Sequence, residues 1–316
     1  MATKQPELTV DMMGVRRTSR WFVLQYRAAP YLFVSPFLIL FATFGVYPIG
    51  KSLMLSFYVT NGPKSAVFVG LENFRFMLSD PDFHTAVWNT AVFAFWSVFL
   101  QLPLSLGLAL LLNSIWMKGR ELLRLAFFSP NLLGQVFVGV LFSVLFIPQY
   151  GLVNRFLHFL AGIPLDTKWL ANPDLVMPAL VLTSLWMYVG FNMIYFLAAL
   201  QAVDRDLYEA ATVDGANAWY QFWAVTLPGI KPVAVFVLVM STIGSFQLFE
   251  LPWIMLNNSA GPDQAGLTVV MYLYQTGFVA GDLGYAATVG WSLALGVLMI
   301  SLFQMRVTGA WKGGAD

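Results

Sequence analysis

Six stretches of this chain, 28–50, 86–113, 126–147, 177–200, 233–256 and 284–305, run for twenty residues or more with almost no charge. At a helical rise of about 1.5 Å per residue, about twenty apolar residues cross the hydrocarbon of a bilayer. Lipid offers no water to the backbone, so each run must satisfy its own amides as a helix. The expected fold is therefore all-α: a polytopic membrane protein with six transmembrane helices. Composition agrees, since 59% of the residues are hydrophobic and 10% charged, against roughly 25% charged in a soluble domain.

Residues 1–29 are polar and basic, with Arg16, Arg17, Arg20 and Arg27 ahead of the first run. A signal peptide has a shorter apolar core and a small-residue cleavage site, whereas this run continues past Gly50, so it is read as a retained span. Six spans bring both ends to one side. Of the 17 Lys and Arg residues, twelve fall on that side, and Lys51, Lys64, Arg75, Arg155 and Lys168 fall on the other. The positive-inside bias makes the twelve cytoplasmic. The organisation expected is a cytoplasmic segment 1–29, a six-helix membrane domain 30–306 with a cytoplasmic loop 204–231, and a cytoplasmic tail 307–316.

The chain has no cysteine, so disulfide, zinc-thiolate and thiol chemistry are excluded, and a net charge of +1 gives no nucleic-acid surface. His84 and His158 stand alone in expected loops and are read as surface residues. No catalytic group and no metal site is expected.

The most informative polar stretch is the cytoplasmic loop, DRDLYEAATVDGANAWYQFWAVTLPGIKP from Asp204 to Pro232. Asp206 is a suitable N-cap, Leu207 to Thr212 has helical spacing and Gly215 is a natural stop. On such a helix Leu207, Tyr208 and Ala211 share one face, Ala210 and Ala211 allow close approach, and Glu209 and Asp214 are placed to meet basic groups. Trp219, Phe222 and Trp223 suit a membrane interface, and Pro228 and Pro232 mark re-entry into lipid.

Glu209-Ala210-Ala211, three residues, Gly215, nine residues, Val225, one residue, Leu227-Pro228 resembles the EAA signature of permease subunits of binding-protein-dependent ABC importers. Further stretches extend the likeness: Gly70-Leu71-Glu72-Asn73-Phe74 with Asn89-Thr90, Ser129-Pro130 with Pro148, Gly151, Leu152 and Asn154, and Gly284-Tyr285-Ala286. The chain looks most like the carbohydrate-uptake class, near the maltose-type first permease subunit. Asp204 departs from the family, which usually has proline there, and so does Ala260 in Ala260-Gly261-Pro262, where a second glycine is usual.

The resemblance implies a coupling helix, Leu207, Tyr208, Glu209, Ala210, Ala211, Asp214 and Gly215, docked on an ATPase subunit. It also implies a complex: a second, different permease chain, two ABC ATPase subunits carrying ATP and Mg, an extracytoplasmic solute-binding protein, and a sugar-like solute, all in a bacterial or archaeal cytoplasmic (inner) membrane. The resemblance implies that this chain itself binds no cofactor and is no enzyme, ATP hydrolysis falling to the separate ATPase subunits.

A sugar site needs hydroxyl partners and aromatic faces near mid-membrane. Tyr188 and Asn192 are four apart on the fourth run, and Ser241, Ser245, Gln247 and Glu250 fall on the fifth. Aligned on the signature, Asn131, Tyr188, Gln247 and Glu250 lie at or beside positions that line the sugar site of maltose-type permeases. Glu250 is the only charged residue of the fifth run, and an ionised side chain in lipid costs roughly +2.5 to +3.5 kcal/mol on insertion scales, so it should face a cavity or a partner. Serines in membrane helices also bond the carbonyl four residues back, or pack beside glycines such as Gly244. The alternative, an ion-coupled secondary transporter, calls for more intramembrane charge and for repeated halves than the sequence offers.

Overall fold

The computed structural model describes residues 20–62, 65–114 and 117–309. Lys4, Arg16 and Arg17 of the N-terminal segment, Lys64, and Lys312 of the tail lie outside them. The chain falls into two compact units, residues 1–52 and 53–316. In the first, α1 (Arg20–Phe41) passes through a π turn (Ala42–Val46) into α2 (Tyr47–Leu55). Ala28–Leu55 is one membrane-length stretch with mean hydropathy 2.0.

The second unit opens with a hairpin of β1 (Tyr58–Thr60) and β2 (Ala66–Phe68), the only strand pair among the described residues, in the register Val59 opposite Val67. A short α3 (Glu72–Ser79) leads to α4 (Pro81–Asn113). Then come α5 (Arg120–Phe128), a 3-10 turn (Ser129–Leu132), α6 (Gln135–Leu145), α7 (Leu152–Ala161) and α8 (Pro173–Ala202). The C-terminal third holds α9 (Arg205–Val213), α10 (Ala218–Gln221), a π turn (Phe222–Thr226), α11 (Leu227–Phe246), α12 (Glu250–Met255), α13 (Val269–Tyr274) and α14 (Leu283–Val307). Five helical stretches of the described residues are long and apolar enough to span a membrane, or six if one sharply bent pair counts as a span.

That bent pair corrects the expectation of a continuous third span over 126–147. Arg120–Leu132 and Gln135–Leu145 meet at 101°. The cause is local: Pro130 sits in the 3-10 turn, and Leu133 and Gly134 are extended, so α6 starts afresh. The fifth span is corrected too. It begins at Ala218 rather than at 233, and it stops at Phe246 rather than running to 256. Pro252 has no amide to offer, and its ring would strike the carbonyl four residues back, so α12 is a separate helix after a break at Gln247–Phe249. His84 and His158 are surface residues as expected, but each lies on a helix, α4 and α7, not in a loop.

Three apolar clusters hold the second unit together. Phe93, Val138, Phe142, Leu180 and Leu251 join α4, α6, α8 and α12; Leu112, Met193, Phe196 and Ile230 join α4, α8 and α11; Met77, Met271, Tyr272 and Val289 join α3, α13 and α14. Close approach is built in where α8 passes α5, because a Cβ on Gly190 would stand 1.7 Å from the Phe127 carbonyl oxygen.

At the start of α4, the buried carboxylate of Asp80 caps the helix through the Asp82 amide (3.0 Å) and accepts hydrogen bonds from the hydroxyls of Tyr272 and Tyr285. Burial alone would raise its pKa; the Tyr272 and Tyr285 hydroxyls and the backbone amides outweigh this and hold the carboxyl below its usual range. A depressed folded-state pKa means that the stabilisation is present above the unfolded value, about 3.9, and is lost only as pH falls through the lower folded value. Asp80→Ala strips the acceptor from two hydroxyls and removes a cap. The expected loss is about 2–5 kcal/mol, read as a lower melting temperature of the detergent-solubilised protein. Asp80→Asn keeps an acceptor and should lose less; equal melting of all three proteins would refute the assignment.

Candidate functional site

Two places concentrate polar groups that the spans alone do not require. The first is α9. Its N-cap is Asp204, whose carboxylate accepts from the Asp206 amide at 3.0 Å, so the cap stands two residues before the expected Asp206. The residue that departs from the family's proline thus supplies the cap itself. The helix ends as a Schellman turn: Ala216 N–H donates to the Ala211 carbonyl (2.9 Å) and Gly215 N–H to that of Thr212 (3.0 Å), with Gly215 at φ +81°.

One face of α9 is tied to the following span. The Tyr208 hydroxyl is 3.0 Å from Thr226 Oγ1, and Gln221 Nε2 donates to Thr212 Oγ1 at 3.0 Å. Tyr208 and Ala211 are half-buried, while Leu207, Glu209, Ala210, Asp214 and Gly215 are exposed. Leu207 and Tyr208 therefore do not act as one surface: Tyr208 is the tether and Leu207, 53% exposed, points away. Glu209 has no ion pair, the only one among the described residues being Arg75 with Glu72. Trp219, Phe222 and Trp223 pack on one another where α11 begins, as membrane-interface aromatics do.

The second place is a cavity of about 380 Å³ bounded by α4, α6, α8, α11 and the break before α12. It brings together Tyr188, Asn192, Gln247 and Glu250 of the expected set, with Ser241 and Ser245. Asn131 is not among the lining residues; Gln135, the first residue after the bend, is. Gln135 Nε2 donates to the Tyr188 hydroxyl at 2.7 Å, and Asn192 Nδ2 to Ser241 Oγ at 3.0 Å. Ser245 also donates to the Ser241 carbonyl (2.8 Å), the back-bond usual for a membrane serine. Phe93, Phe191, Tyr195 and Phe236 add aromatic surface, and Gln101 reaches in from α4. Sequence reasoning missed Phe191 and Tyr195 although they stand three and seven residues after Tyr188, on the same helical face. Gln101, a lone amide within an apolar run, was a second signal.

Counting the bent pair as one span, an exposed, capped helix lies between the fourth and fifth spans. Residues 14–308 match the family model described as "Binding-protein-dependent transport system inner membrane component". The chain belongs to that family. This permease is 39% identical over 300 residues, 94% of each chain, to the arabinooligosaccharides transport system permease protein AraP of Bacillus subtilis. It is 35% identical over 280 residues to the lactose transport system permease protein LacF of Rhizobium radiobacter, covering 88% of this chain and 93% of that one. Its fold matches a subunit in the solved structure of a bacterial alginate ABC transporter in complex with an alginate pentasaccharide-bound periplasmic protein. There the TM-score is 0.77 at 24% identity, over 91% of this chain and 98% of that one.

Membership makes the permease a multi-pass membrane component of an ABC importer, with the ATPase on a separate subunit, and not itself an enzyme. It supports the importer and gives nothing to the ion-coupled alternative.

Proposed function

We propose that this permease forms half of the translocation pathway for a carbohydrate, working by alternating access. The observation that carries the proposal is the cavity lining, in which amides, hydroxyls and one carboxylate alternate with aromatic faces. That is the chemistry that recognises a ring with hydroxyls on its edge and apolar C–H faces. Tyr188, Asn192, Gln247 and Glu250, joined by Gln135, would bind the solute, with Glu250 accepting from sugar hydroxyls. The similarity to permeases named for arabinooligosaccharides and lactose supports the same class.

The assembly proposed has a second, different permease chain, two ATPase subunits that bind ATP and Mg, and an extracytoplasmic solute-binding protein. Segment 1–29, loop 204–231 and tail 307–316 face the cytoplasm, and residues 30–306 form the membrane domain. ATP-driven closure of the ATPases moves α9, and the Tyr208–Thr226 tether carries that movement into α11, whose Ser241 and Ser245 line the cavity.

The test is uptake of labelled oligosaccharide into proteoliposomes holding the complete transporter. Uptake should require ATP inside the compartment that corresponds to the cytoplasm and persist when ion gradients are collapsed. Glu250→Ala and Tyr188→Ala should each lower it about tenfold, as losing one charged or aromatic anchor does at a binding site. Wild-type uptake by both variants would remove the cavity from the pathway.

A further inference from the structure

The helix α7 has three faces in three different surroundings. Val153 packs against the core cluster around Phe142 and Phe146, and the fully buried Asn154 donates to the carbonyls of Leu165 (3.0 Å) and Thr167 (2.9 Å) while accepting from the Trp169 indole. Trp169 in turn lies against Phe146. The helix is bolted in place by that face, so the orientation of the others is set. About a third of a turn away, Leu152, Phe156, Phe159 and Leu160 make a stripe at i, i+4, i+7 and i+8. All four are exposed, Phe159 at 86%. The remaining third carries Arg155 and His158, also exposed, and Arg155 has no ion pair among the described residues.

We propose that α7 lies in the headgroup layer of the membrane, with the Leu152–Leu160 stripe in the acyl boundary and Arg155 and His158 among lipid phosphates and water. Chain continuity sets its depth. It follows α6, half of the bent membrane-length pair, by the short 146–151 link, and it precedes α8, a membrane-length helix. Both neighbours pass into lipid, so the connection between them lies at a bilayer surface. A helix there with one protein-packed, one apolar and one basic face satisfies protein, acyl chain and headgroup at once. A partner arriving from the aqueous side would meet the Arg155 face, and the stripe would still need lipid.

Because the chain has no cysteine, single substitutions report alone. Phe159→Cys and Phe156→Cys are spin-labelled, and the permease is assembled with cysteine-free partner subunits in phosphatidylcholine–phosphatidylglycerol nanodiscs. Collisions with oxygen, which partitions into lipid, are compared with those of a water-soluble nickel chelate. Oxygen should dominate at 156 and 159, and the chelate at an Arg155→Cys label. Chelate access at 159 would place the stripe in water, and access by neither reagent would place it under a protein; either result overturns the proposal. Leu152→Cys, on the same stripe, gives the same reading if Phe159→Cys does not assemble.

Discussion

Glu209→Lys is expected to lower ATP-driven uptake at least tenfold, as like-charge placement at a docking surface does, while leaving the permease inserted and folded. The separation of the two effects is what the geometry supports. Glu209 is exposed and in no ion pair, and its neighbour Tyr208, about 100° away around the helix, makes the tether to Thr226. Surface substitutions of this kind usually change stability by less than about 0.5 kcal/mol. Gly215→Val reaches the same outcome by another route. No atom lies within 4 Å of an added Cβ, so nothing clashes, but φ is +81°, where a side-chain-bearing residue costs about 1–2 kcal/mol. The Schellman turn would open and the helix would lose its fixed end. Uptake and ATP hydrolysis are measured together in proteoliposomes; wild-type values for both variants would show that α9 is not where the ATPase engages.

Gly190→Ala should have the largest effect on folding. Its Cβ would stand 1.7 Å from the oxygen and 2.3 Å from the carbon of the Phe127 carbonyl. The obstruction is backbone, so no side chain can swing aside, and α8 and α5 would have to part. Overpacking of this severity costs about 3 kcal/mol or more, and the variant should yield no monodisperse protein on size exclusion after extraction. Gly107→Ala is the control, since nothing lies within 4 Å of the added carbon and helix propensity favours alanine by up to about 1 kcal/mol. If the two variants behave alike, the α5–α8 approach is looser than drawn.

The spans and the capped loop helix were legible because each rests on local signals: about twenty apolar residues, and a Gly stop after a short run of helical spacing. The interruptions were not. Over 126–147 and 233–256 the composition stays apolar through the bends, and a hydropathy reading joins what Pro130 and Pro252 separate. Those prolines were visible, yet a proline kinks some helices and ends others. The packing that accompanies the breaks, α6 on α12 where Gly139 lets Ile254 come close, is a long-range contact, and no local pattern carries it. The cavity was half legible for the same reason. Tyr188 and Asn192 share a continuous helix and line it together, whereas Gln135 enters only because the bend restarts a helix at that residue, and Asn131, placed by the resemblance alone, lies in the 3-10 turn ahead of the bend.

The cavity wall and the packed clusters draw on almost separate sets of residues. Gln135, Asn192, Ser241, Gln247 and Glu250 belong to none of the three clusters; Phe93, Val237 and Leu248 are the buried cluster members that the wall borrows, and Tyr188 packs against the first cluster from the wall. Selection can therefore retune what such a chain admits without reopening the question of whether it folds. A lineage carrying this architecture is free to follow its diet.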